Sequence, residues 1–513
     1  MTKLKVLLIL AAGLFSLAAW PAYAHGFGER TELPIPLGFF MIGAAIVVTA
    51  SFVILSLFLR AGATHSYWRF DLLGIGALRT VLTSDFLLFP IKLLSVFLLG
   101  LVVATGLAGD QSPSLNFAPT FVWVIWWVGM AFVVALLGNL WALVNPWKII
   151  FEWSEWVYGK LRAGKKFTPV ATYPRAWGVW PALVLFAGFV WAQDAYTESD
   201  LPNRVALMAV AYTVVTIGGM AVFGKHVWLR NGEAFSVIFR TFARFSPTEV
   251  RVVDTDLCRT CSHQCLDRDG GCVDCYECFE RSQKRELNLR PFAMGLGRNE
   301  PVTNDLLAVV VVLLATVTFD GFSATSAWAD FQSAVVNAVG GSTNQVFNSL
   351  TLADTLGVLL FPAGFLVVYL FFSQMMAQTS QEPIGVLKLA RIFAYSLIPI
   401  ALAYNIAHFI TLVLIQGQLL IQLVSDPFGF GWDLFGTVDY TINIAIINAR
   451  VVWLLSLAVI VVGHVLAVYL AHIVAARTFR GRSAVLSSQY PMLTLMVVYT
   501  VISLWIIAQP IVA

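Results

Sequence analysis

"LGFFMIGAAIVVTASFVILSLFLR", residues 37–60, carries no charged side chain until Arg60. At 1.5 Å per residue, about 20 apolar residues in a helix cross the roughly 30 Å of hydrocarbon in a bilayer, so this stretch is long enough to span one. Similar runs recur along the chain, near 86–108, 120–144, 177–195, 205–224, 303–323, 354–376, 390–420, 450–475 and 490–511. The expected fold is therefore all-α: a polytopic membrane helix bundle of about ten transmembrane helices. Composition agrees, with 59% hydrophobic and 12% charged residues and a mean hydropathy of +0.80, far outside the soluble range. A net charge of +3, spread over loops, argues against nucleic acid as a partner.

Residues 1–24 have the layout of a cleavable secretory signal: Lys3 and Lys5, an apolar stretch, then Ala22-Tyr23-Ala24. Cleavage there leaves His25 as the mature N-terminus, outside the inner membrane of a bacterium. An uncleaved anchor helix is the alternative, disfavoured because the apolar core is short. With the first span running inward, the loops at 60–85, 145–176, 225–302, 377–391 and 476–489 face the cytoplasm. They hold Arg60, Arg69, Arg79, Lys148, Lys160, Arg162, Lys165, Lys166, Arg175, Arg477, Arg480 and Arg482, as the positive-inside rule requires. The chain then divides into a first membrane bundle at 25–224, a cytoplasmic loop at 225–302 and a second bundle at 303–513.

All six cysteines lie in that loop, in CRTCSHQCLDRDGGCVDCYEC: Cys258, Cys261, Cys265, Cys272, Cys275 and Cys278. In a reducing compartment disulfides do not persist, and clustered thiolates at these intervals point to a metal. Zinc fits the outer pairs Cys258/Cys261 and Cys275/Cys278, with Cys265 and Cys272 left over. An iron-sulfur cluster is favoured by the consecutive spacing of Cys272, Cys275 and Cys278. The bland reading is a metal clip that staples a polar loop. His25, with a free amine and an imidazole on one residue, offers a chelate suited to copper; a terminal residue that merely happens to be histidine is the alternative.

Ionisable side chains inside apolar runs are costly and tend to mark sites. Asp320, His408, His464 and His472 are of this kind. Helix counting places Asp320 and His408 toward the outer side and His464 near the middle, with Tyr404, Asn405 and His408 on one helix face. The expected site is a cluster of Asp320, Asn405, His408 and His464, weighed against plain interhelical hydrogen bonding. Trp123, Trp126 and Trp127 read as an interfacial belt.

The blocks AHGFGERTELPIPLGFF, NFAPTFVWVIWWVG, GNLWALVNPWK, RNGEAFSVIFRTFARFSP, TFDGFSAT, YNIAHFITLVLIQGQ, GWDLFGT and VVGHVLAVYLAH resemble, in this order, the bacterial fenitrothion hydrolase family of polytopic membrane proteins. The resemblance spans both halves of the chain; the six-cysteine loop departs from it. It implies an inner-membrane hydrolase, alone or with a partner subunit in a heteromer, that cleaves the aryl ester of a lipophilic organophosphorus triester. It brings no assignment of catalytic residues. On chemical grounds His408 and His464 would bind a metal or act as base, Asp320 would orient one of them, and Asn405 would donate to the phosphoryl oxygen. No HExxH or GxSxG motif is present. Two other classes remain open. One is a membrane redox or metal-handling protein, with the cysteine loop and the intramembrane histidines holding metal or haem, although no CxxCH motif occurs. The other is a transporter whose helices are interrupted at Pro90, Pro181, Pro362, Pro399 and Gly218-Gly219.

Overall fold

The structure is a computed structural model and describes residues 36–58, 67–260, 271–298, 300–339 and 349–509. The helices that build the bundle are, in chain order, α1 (Leu37–Phe58), α2 (Gly76–Ala108), α3 (Phe117–Leu136), α4 (Pro146–Leu161), α5 (Trp180–Asp194), α6 (Pro202–Phe223), α7 (Ala234–Ala243), α8 (Asn304–Ser323), α9 (Ser349–Ser380), α10 (Val386–Ser425), α11 (Ala449–Thr478) and α12 (Arg482–Ile507), with shorter or peripheral helices such as Ser326–Val339 and Lys225–Asn231 besides. Nine of these, among the described residues, are long and apolar enough to cross a membrane; α4, α5 and α7 are not among them. The expectation of about ten counted 177–195 as a span. The helix there is α5, of 15 residues, entered through Pro181 and ended at Gln193-Asp194.

Apolar character on every side puts α8 at the centre. Most of its side chains are buried, as are those of α12, whereas α2 lies at the periphery with few buried. The first span does not stay with the first half of the chain, for α1 packs on α11 and α12. Close helix approach is set by small residues. At Gly463 of α11, an added Cβ would stand 2.3 Å from the Ala403 Cβ and 2.8 Å from the Pro399 carbonyl oxygen of α10. At Gly106 of α2, it would lie 2.4 Å from the Pro202 carbonyl oxygen of α6. Gly463→Val is therefore expected to lower stability by about 1–3 kcal/mol through overpacking, read as a lower unfolding midpoint in detergent; an unchanged midpoint would mean that the α10–α11 contact yields.

Connections between the helices meet at two ends of the bundle. At one end a small antiparallel sheet forms in the order β1 (Phe70–Asp71), β4 (Arg285–Leu289), β2 (Thr248–Val252), β3 (Cys272–Val273). Register pairs Val252 with both Arg285 and Cys272, which ties the cysteine segment to the longest ladder. Thr248 Oγ1 donates to the Leu137 carbonyl at 2.6 Å, and Arg477 to that of Gly297 at 2.6 Å, so the sheet is fixed to the ends of α3 and α11. At the other end Asp110 and Phe117 donate from the backbone to Phe428 and Pro427. The helix α8 leaves the sheet end at Asn304 and reaches Asp320 about 24 Å further on.

Around the sheet runs a charge network. Arg290 Nη1 lies 2.7 Å from Glu249 Oε2, both side chains fully buried. Arg69 and the Tyr67 hydroxyl hold the same carboxylate at 2.5 and 2.6 Å. Arg298 and Arg244 hold Glu300 at 3.0 and 2.7 Å.

Candidate functional site

The chain brings Asp320 and His408 together. Asp320 ends an apolar run on α8, and His408 projects from α10 so that Nε2 lies 2.6 Å from Asp320 Oδ2. The two side chains remain 22% and 23% exposed, so the pair is at an open edge of the helix packing and not sealed within it. Gln193 Nε2, at the end of α5, reaches Asp320 Oδ1 at 3.5 Å. Asp194 follows it, with its Oδ1 buried and without a hydrogen-bond partner among the described residues. Asp194 was not legible as a site residue; its one signal was the polar pair Gln193-Asp194 closing an apolar run.

Behind the pair is a cavity of about 30 Å³, lined by Asp194, Asp320, Gln193, Asn405, Trp127 and Phe409, among others. Its size suits about two waters, each needing roughly 10–15 Å³. Asn405 Oδ1 is buried there with no hydrogen-bond partner among the described residues, as a group waiting on a water would be. The tryptophans depart from the expected interfacial belt. Thr120–Gly129 of α3 is π-helical, and Trp126 and Trp127 pack inward on Phe189 and Phe235. Trp123 bonds the Ser199 carbonyl at 3.0 Å.

His464 does not join the cluster. Ser456 of α11 bonds the Ala407 carbonyl, which fixes the level of His408 on that helix. His464 lies eight residues further on, about 12 Å along the axis. Its Nδ1 turns to the Ile460 carbonyl at 2.9 Å, and its ring packs 5.8 Å from that of Tyr499. Gly463 occupies the line of contact with α10, so position 464 faces elsewhere. His472 pairs with Gln489 at 3.1 Å, an interhelical bond.

At the sheet end, Cys258, Cys272, Cys275 and Cys278 are buried together with Val252, flanked by Leu257 and Phe279. Among the described residues no group of three or more His, Cys, Asp or Glu is spaced to hold a metal ion. Cys261, Cys265 and His25, with the signal segment 1–24, lie outside the described residues.

Comparison of the chain with protein-family models, with curated proteins and with solved structures found no match.

Proposed function

We propose that this multi-pass membrane protein is a hydrolase of a lipophilic organophosphorus triester, the reaction implied by the family resemblance, with Asp320 and His408 as its acid–base pair. The observation that carries this reading is the 2.6 Å contact between His408 Nε2 and Asp320 at a partly exposed edge, backed by a water-sized polar cavity. A cavity this small does not take the ester, whose pocket would need about 300 Å³ or more. The ester instead meets the pair from the exposed edge, where a neutral lipophilic molecule in the bilayer would arrive.

With Nε2–H donated to Asp320, Nδ1 of His408 is the proton acceptor. Water loses a proton to Nδ1 as its oxygen forms the new bond to phosphorus. The bond from phosphorus to the aryl oxygen breaks with its electron pair on the aryloxide, which takes the proton back from His408. Asp320 orients the ring and balances the imidazolium charge, and Asn405 holds the water. The test is release of nitrophenol from a nitrophenyl phosphotriester by purified full-length protein in lipid nanodiscs. Release no faster than from empty nanodiscs would remove the hydrolase reading.

A second reading is favoured by the four thiols at the sheet end: a metal-handling or redox role for that module, with zinc or an iron-sulfur cluster as its group. Four cysteines buried near one another are the donor types such a group uses, and they would have to close up around it, since among the described residues they are not spaced to hold an ion as they stand. Bound iron with labile sulfide, or zinc with a featureless visible spectrum, is expected in protein purified anaerobically, and Cys275→Ser is expected to lower that content several-fold. Protein free of both metals would sink this reading.

The bacterial inner membrane, with the sheet end in the cytoplasm, fits both readings. Lys148 and Arg477 come from different loops, and both make contacts at that end, Lys148 with Glu280 and Arg477 with the Gly297 carbonyl.

A further inference from the structure

A second cavity, of about 80 Å³, lies far from Asp320, where the cysteine module meets the bundle. Its walls come from the segment between α3 and α4 (Asn139), the first turn of α4 (Lys148), the short helix Lys225–Asn231 (Arg230), α7 (Ser236, Arg240) and the cysteine segment (Cys275, Tyr276). Three carboxylates also reach this wall, and each has a cation. Glu280 is held by Lys148 at 2.5 Å, Glu277 by Arg281 at 2.8 Å, and Asp274 faces Arg290 at 3.7 Å and Arg298 at 3.6 Å.

Arg240 is different. It projects from α7, whose start is fixed by Glu233 accepting from the backbone N–H of Phe235 and Ser236 at 3.0 and 2.7 Å. Its Nη2 donates to the Arg230 carbonyl at 2.8 Å, and among the described residues it makes no ion pair. Burial, with Arg230 and Arg244 near it, pulls its pKa down to about 10, which still leaves it cationic at neutral pH. A part-buried guanidinium with several donors unused, placed in a cavity wall whose acids are already matched, is a charge without its counter-charge.

We propose that this cavity is a binding site for a phosphate-type oxyanion, with the Arg240 guanidinium as its principal partner and Ser236 and Asn139 as neutral polar neighbours. The planar fork of arginine suits two oxygens of one phosphate. An occupant would bridge α7 to the segment around Cys275 and so join the cysteine module to the bundle. Free inorganic phosphate and the phosphate of an acidic lipid head group at the bundle end share this chemistry.

The test uses full-length protein in detergent, delipidated and then titrated separately with inorganic phosphate and with phosphatidylglycerol, following the unfolding midpoint and binding heat. A raised midpoint with phosphate, kept in Arg240→Lys and weakened about tenfold or more in affinity in Arg240→Gln, supports a site for the free anion. The same pattern with phosphatidylglycerol alone supports a lipid head group. No response of the wild-type protein to either, or an equal response in Arg240→Gln, overturns the proposal. Where Arg240→Gln fails to fold, Ser236→Ala takes its place, a weakened response supporting the site and a response equal to the wild type overturning it.

Discussion

His408→Ala in the full-length protein is expected to lower nitrophenol release by about 10²- to 10⁴-fold, the usual contribution of a positioned general base. The expectation rests on geometry: His408 is the one imidazole within hydrogen-bond reach of Asp320 among the described residues, at 2.6 Å. Its removal leaves a space at an open edge rather than a hole in the core, since 23% of the side chain is exposed, so folding should survive. Asp320→Asn is the sharper companion. An amide can present either its oxygen or its N–H to Nε2, and the N–H would reverse the tautomer, placing the proton on the nitrogen that must accept one. It should therefore cost nearly as much as His408→Ala without changing volume. Asp194→Asn leaves Asp320 and His408 in contact, and its effect should be smaller than either. His464→Ala, about 12 Å away along α11, should leave turnover within a few-fold of the wild type. Unchanged release in His408→Ala, from protein that keeps its unfolding midpoint, would take the pair out of the reaction.

The Asp320–His408 pair could be anticipated because rise per residue alone sets the depth of a side chain in a spanning helix. Both residues follow their sheet-side ends by similar lengths of apolar chain. His464 shows where that reasoning stops. Depth does not fix rotation about the axis, and rotation here is set by Gly463, whose missing Cβ lets α10 approach along a line that turns His464 toward Tyr499. Asp194 escaped for the opposite reason: it ends a helix of 15 residues, read as a span with an outer loop behind it. The aromatic run at 123–127 misled in the same way, because an interfacial belt and an inward π-helical face have the same composition. The sheet left no trace, for its strands are two to five residues long, too short to show a period, and they pair across residues distant in sequence.

That sheet should be the part of the molecule most sensitive to a single charge. Arg290→Met is expected to destabilise it by about 3–5 kcal/mol, because it breaks a fully buried ion pair and leaves one charge behind. The same side chain donates to the carbonyls of Ser246, Ala243 and Arg244 at 3.1, 3.0 and 3.3 Å, so those groups lose a donor as well. Hydrogen exchange at the amides of Thr248–Val252 and Arg285–Leu289 should quicken by about a hundredfold or more, while those of α8 stay protected. Adding Glu249→Gln should restore part of the loss, since it removes the stranded carboxylate; a sheet left fully protected in Arg290→Met would show the pair to be dispensable. The network also sets a pH response. Burial alone would raise the Glu249 pKa, but Arg290, Tyr67 and Arg69 hold it below the usual range. Burial acts likewise on Glu300, and Arg244 and Arg298 outweigh it, bringing it down to about 2. For both groups the folded pKa is the lower one, so their contribution is complete above the unfolded value of about 4.3 and is lost as pH falls toward 2. Protection of the sheet should fall across that window in the wild type. The fall should be shallower in Arg290→Met, in which Glu249 has lost the largest of the charges that keep it ionised.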